Sequence, residues 1–204
     1  MKKLFFFTLI MLVAVSVSSN AQTKFGLKAG INIANVTGDL EGSDSRMAPY
    51  FGVFANFALS EKVVFQPELL YSMKGDKDSY TENYEGVNVN VEKVAKFDYL
   101  DIPLMFKFKP GGGFNLLAGP QIGLLLSAKI KTEASAQGIS ASEEEDIKEY
   151  MKGVDFGLGF GLGYEFDFGL GIDARYNLGL SNVSDESGVE VKNNAIQIGV
   201  SYNF

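Results

Sequence analysis

Apolar residues recur at every second position along most of this chain, the period of a strand whose two faces meet different surroundings. Over residues 154–165, Val154, Phe156, Leu158, Phe160, Leu162 and Tyr164 alternate with Asp155, Gly157, Gly159, Gly161, Gly163 and Glu165. The pattern repeats in Phe168, Ile172, Ala174, Tyr176 and Leu178, in Ile196, Ile198, Val200, Tyr202 and Phe204, and in Phe25, Leu27, Ala29 and Ile31. Stretches over 50–59, 63–74, 97–108 and 114–129 follow it less cleanly. A helix would spread these side chains around its whole circumference, so the pattern predicts eight strands. Each has about the 9–11 residues that a tilted strand needs to cross hydrocarbon.

The connections predicted between them alternate in length. Ser60-Glu61, Pro110-Gly111-Gly112 and the region of Phe166-Asp167 read as tight turns, and residues 36–48, 75–93, 130–151 and 183–192 as long polar loops. Short turns at one rim and long loops at the other describe an outer-membrane barrel with its turns in the periplasm. The expected fold is all-β: an eight-stranded antiparallel up-and-down transmembrane β-barrel over residues 22–204.

A soluble barrel alternates too, so the faces must be assigned. The large, aromatic set suits lipid, while the Gly, Ala, Ser, Asn and Gln of the other set suit a narrow interior. Lys28, Glu68, Asp101, Lys107, Glu165, Asp173 and Arg175 share the inward parity. Charges of mixed sign in a low-dielectric interior must pair, which makes these residues a structural network with Arg175 as its expected hub, within reach of Glu68 and Asp101. Tyr50, Phe51, Tyr71, Phe108, Phe114, Tyr164, Phe166, Phe168 and Tyr202 fall near strand ends, where interfacial aromatic girdles lie. In the third long loop, Ser142 with Glu145 forms a capping box and Glu144 with Lys148 an i,i+4 pair, predicting a short helix over 143–151. The acidic residues 143–146 read as its solvated face, with cation binding as the alternative.

The N-terminus carries different information. Lys2 and Lys3 precede an apolar run from Leu4 to Val17, and Ser19 and Ala21 stand where a signal peptidase reads small residues. This is the form of a secretory signal peptide over residues 1–21, too short for a transmembrane helix. Composition then removes functions. The 204 residues contain no Cys and no His, so disulfides, thiolate or imidazole metal sites and His-based triads are excluded. The net charge of −7 argues against nucleic acid as a partner. Gly157 to Gly163 lacks the spacing of a dinucleotide loop. No catalytic residue, cofactor or metal is expected.

Several segments together resemble the PorT-like small outer-membrane β-barrel family of gram-negative bacteria. They are Phe25-Gly26-Leu27-Lys28-Ala29-Gly30-Ile31-Asn32, Gln66-Pro67-Glu68-Leu69-Leu70-Tyr71-Ser72, Tyr99-Leu100-Asp101-Ile102-Pro103-Leu104, Ala118-Gly119-Pro120 and Asp173-Ala174-Arg175-Tyr176. Tyr202 and Phe204 look like the C-terminal aromatic signal read by the barrel-assembly machinery. The resemblance implies a barrel in the cell outer membrane, in contact with outer-membrane lipid and delivered by periplasmic chaperones and that machinery. It implies activity poorly. The expected role is a structural or interaction scaffold displaying four surface loops, the alternative a narrow porin-like channel or a component of a secretion machine.

Overall fold

The computed structural model describes residues 23–39, 44–84, 86–137 and 139–204; the segment read as a signal peptide lies outside them. Nine strands follow in order: β1 (Lys24–Gly38), β2 (Asp44–Ala58), β3 (Val63–Tyr84), β4 (Val87–Gly111), β5 (Phe114–Ala136), β6 (Ile139–Asp146), β7 (Val154–Glu165), β8 (Leu170–Gly179) and β9 (Val191–Asn203). Eight of them, all but β6, pair antiparallel with their neighbours. The ring closes where β1 meets β9, with Gly26 opposite Asn203 and Gly38 opposite Val191. Every strand of the ring therefore has two partners, and the backbone shows lipid no open edge.

The alternation read from the sequence sets the faces. Phe25, Leu27, Ile31, Phe51, Leu116, Leu158, Leu162, Ile172, Ile198 and Val200 point outward and are exposed, whereas Lys28, Asn32, Glu68, Asp101, Arg175 and Gln197 point inward and are buried. Glycine lets this narrow interior close. A Cβ on Gly199 would lie 2.0 Å from the Tyr50 hydroxyl oxygen, so the inward tyrosine lies against bare backbone.

Three tight connections define one rim. Leu59 and Ser60 donate backbone hydrogen bonds to the Val63 carbonyl, and Ser60 Oγ accepts from the Val63 N–H. Gly111, Gly112 and Gly113 all take positive φ, which β-carbon-bearing residues resist. Phe166 N–H donates to Leu170 across the third turn. Aromatic pairs gather here: Phe114 with Tyr164 at 5.0 Å, Tyr164 with Phe166 at 4.9 Å, and Tyr202 with Phe204 at 5.4 Å. Of the aromatics read at strand ends, Phe114, Tyr164, Phe166 and Tyr202 gather at this rim; Tyr50 is buried in the lumen, and Phe51 and Tyr71 lie mid-strand because β2 and β3 run on to Asp44 and Tyr84.

The other rim differs from its sequence reading. Residues 75–93 are a hairpin, because β3 and β4 stay in register out to Tyr84 opposite Val87. Residues 130–151 hold the end of β5, then β6 folded back on it with Lys129 opposite Asp146 and Ala136 opposite Ile139. No α-helix covers 143–151; the helical content there is one 3-10 turn, Lys148–Tyr150. An isolated helix this short is marginal in water. The strand is favoured because it brings Glu144 between Lys96 and Lys129, at 2.8 and 2.7 Å. The upper parts of β3, β4 and β5 with β6 thus make a four-stranded sheet that rises above the barrel wall.

Candidate functional site: the sealed lumen

The inward residues stack in layers along the barrel axis. In the middle layer, β8 and β3 bring Arg175 and Glu68 face to face. Arg175 Nη1 and Nη2 donate to the two Glu68 carboxylate oxygens at 3.0 and 2.9 Å, a bidentate pair with both side chains fully buried. Lys28 from β1 donates to Asp173 at 2.8 Å and lies 3.9 Å from Glu68, and Arg175 lies 3.8 Å from Asp173. Gln66 Nε2 adds a bond of 2.6 Å to Glu68. Two cations and two anions balance, which a buried group of charges requires.

Next to the turn rim, Lys107 and Lys109 both donate to Glu165, the latter at 2.6 Å. A vestibule of about 550 Å³ opens there, lined in part by Lys24, Asn56, Lys109, Glu165 and Asn203. Asn56 Nδ2 donates to Asn203 Oδ1 at 2.7 Å across the β2–β9 side of it.

Above the middle layer, Lys74 contacts Asp101 at 2.9–3.1 Å. Asn32 Nδ2 donates to Ser72 Oγ and to the Met73 carbonyl. Asn193 Nδ2 donates to Tyr99 Oη and to Asp155, which also accepts from Ser181 Oγ at 2.7 Å. The cavity bordered by Lys74, Gln121, Asp155, Asn177 and Asn193 measures about 10 Å³, which is space for about one water.

The seven inward charges of the sequence reading therefore fall into three groups. Arg175 gathers Glu68, Asp173 and Lys28, and Lys107 pairs with Glu165. Asp101 does not belong to Arg175; it belongs to Lys74, a residue outside the expected set. Lys74 shares the inward parity of β3 but stands at the edge of the stretch that reads as a loop. Its parity already turns it inward; what the sequence does not announce is that the β3–β4 pairing brings it to Asp101.

The loop-rim end of the lumen is apolar. Val36, Phe97, Tyr99, Leu125, Ala128, Val183 and Val191 form a buried cluster, with Ala95, Ile147, Met151 and Val189 packed against it. The two loops that supply it are tied together: Lys152 N–H donates to the Val183 carbonyl, Asp185 N–H to Tyr150, and Met151 bridges to Ser184. Asn182 closes its own loop, donating to Val189 and accepting from Ser184 and Val191 N–H. The sequence shows Val183 only as part of a polar loop, yet it is fully buried.

A closed ring of eight antiparallel strands, apolar outside and charge-paired within, defines a small transmembrane β-barrel of the outer-membrane kind. The chain belongs to the outer membrane protein beta-barrel domain family, whose model matches residues 18–185. It is a small outer-membrane protein. Among solved structures it is similar to Ail, the attachment invasion locus protein of Yersinia pestis, at 15% identity over 89% of this chain and 98% of that one, with a TM-score of 0.45. Neisserial surface protein A is 11% identical over 91% and 100%, at 0.44. CarO of Acinetobacter baumannii is 12% identical over 87% and 97%, at 0.40. No curated protein matches the chain. Nothing about ligand or activity follows from likenesses this distant.

Proposed function

We propose that this protein is a non-catalytic, non-conducting scaffold that holds its raised sheet and loops on the cell surface, as a PorT-like member of its family. The observation that carries this reading is the double closure of the lumen. A solute entering the vestibule meets the Arg175–Glu68–Lys28–Asp173 group and then the apolar cluster around Phe97, Val183 and Val191. Moving an ion through both would require breaking buried ion pairs and opening a packed apolar core, each costing several kcal/mol. The interior of an eight-stranded barrel is filled by side chains, in keeping with this.

The raised sheet faces the outside because long connections are extracellular in such barrels and the tight turns periplasmic. The chain reaches this membrane through a signal peptide removed after Ala21, and Tyr202 and Phe204 present its assembly signal. The inward charges serve structure: they satisfy one another rather than a ligand. The alternative role, a narrow channel, is tested by single-channel recording in planar bilayers. The scaffold shows no stable conductance above background at neutral pH; a reproducible open state in the purified wild-type protein overturns the reading.

A further inference from the structure

Strand β5 outgrows the barrel wall. It pairs with β7 from Phe114 to Leu124 and, above that, with β6. Among the described residues β6 has no partner on its other side, and all eight of its residues are exposed. The Ile147 N–H donates to the Ala128 carbonyl in the same register, at 2.9 Å. Hydrogen-bonded and non-bonded pairs alternate in an antiparallel ladder. Ile139, Ala141, Glu143 and Glu145 therefore turn their backbone groups toward β5. Ser140, Ser142, Glu144 and Asp146 turn their N–H and C=O groups to the free side.

The side chains along that edge select what can join it. One face presents Ile139, at 77% exposure, then Ala141, Glu143 and Glu145. The opposite face presents Ser140, Ser142, Glu144 and Asp146, of which Glu144 is already held by Lys96 and Lys129. A second copy of β6 added antiparallel would set the acids of each strand beside the other's Ile139, Ala141 and serines, which leaves them without a cation and doubles the negative charge along the edge. A neutral strand gains nothing from the acids and must desolvate them. A basic strand neutralises Glu143, Glu145 and Asp146 while its backbone completes the ladder, so the charges that reject other edges favour this one. We propose that the free edge of β6 takes up an extended lysine- or arginine-bearing segment of a partner protein by antiparallel strand addition. This inference rests on the scaffold reading for its cellular meaning, but the contact itself can be tested apart from it.

The probe is a labelled octapeptide with lysine at positions one, two and four, threonine at three, five and seven, and valine at six and eight. In antiparallel register these lysines stand opposite Asp146, Glu145 and Glu143, and the valines opposite Ala141 and Ile139. Fluorescence anisotropy with the whole protein in phospholipid nanodiscs should show saturable binding that weakens with salt. A peptide with glutamate in place of lysine should not bind. Ser142→Pro removes one outward N–H without touching the bonds to β5, a position where edge strands tolerate proline. It should weaken binding about tenfold, as expected for a lost hydrogen bond with its desolvated partner, while amide exchange in β5 stays as in wild type. Equal binding to Ser142→Pro means attraction by charge alone and overturns strand addition. No saturable binding of the lysine peptide overturns it too. An epitope inserted at the β5–β6 tip and probed on intact cells reports separately on display: if it is hidden, the scaffold reading fails whatever the peptide does.

Discussion

Arg175 and Glu68 meet through two parallel hydrogen bonds at the centre of the barrel, and neither has access to water. Replacing Arg175 with Ala leaves the Glu68 carboxylate buried with Lys28 3.9 Å away as its nearest cation. Breaking a buried pair from one side costs roughly 3–5 kcal/mol, and Lys28 holds the loss toward the lower figure. Urea titration in lipid vesicles should register this for Arg175→Ala. Arg175→Lys should recover only part, because an ammonium cannot take both oxygens in a fork. Normal stability in Arg175→Ala together with a new conductance would make the lumen functional instead. The inward direction of these charges is legible in the sequence from parity alone. Their pairing is not, because Asp101 and Lys74 lie on different strands, and which residues meet depends on the register of the β3–β4 hairpin.

At the scale of single strands, the outward faces of β7 and β8 carry the clearest expectation. Leu158→Arg and Ile172→Arg, each placing a charge on the lipid face, should lower stability by about 2–4 kcal/mol in a folding titration, as for charges near the bilayer midplane. Gly161→Ala should fail for another reason: its Cβ would lie 2.3 Å from the Ala174 carbonyl oxygen. Equal tolerance of Arg on both faces would mean that lipid does not surround the barrel. The barrel strands are readable in the sequence because period two is a local signal, whereas β6 is not. Its sequence satisfies a capping box, and only the lysines of β4 and β5, far off in sequence, make it a strand. Hydrogen bonds from Lys129 and Lys96 hold exposed Glu144 down from the ordinary carboxylate 4.5 to about 2, and Glu144 holds Lys129 above its ordinary value. A carboxylate lowered on folding stabilises the hairpin above its unfolded range, so the contribution is complete at neutral pH. It is lost as pH falls from about 4.5 toward about 2. The protection of the β6 amides, corrected for the intrinsic exchange rate at each pH, should fall over that window, and Glu144→Gln should remove the pH dependence.

The whole molecule has two unlike rims, tight turns at one and a raised sheet with stitched loops at the other. Protease added to intact cells should therefore cut in the β3–β4 or β5–β6 tips and spare Ser60-Glu61. Cleavage at Ser60-Glu61 in sealed cells would reverse the orientation. The contrast between the rims and the eight strands of the ring are both legible in the sequence, since each follows from counting residues between alternating stretches. The apolar seal is not, because Val36, Phe97 and Val183 come from three separate regions that meet only when the ring is shut.

That closure has a consequence for how the protein is made. The first strand finds its second partner only in the last, with Leu27 opposite Tyr202 and Lys28 opposite Ser201. Until the final dozen residues have been synthesised and delivered, β1 and β8 each keep a row of unpaired backbone groups that hydrocarbon will not tolerate. No partial ring is a resting place, so insertion succeeds or fails for the chain as a whole. A copy cut short by a premature stop, even one that retains the whole charge group and both sealing loops, should have no stable form in the bilayer.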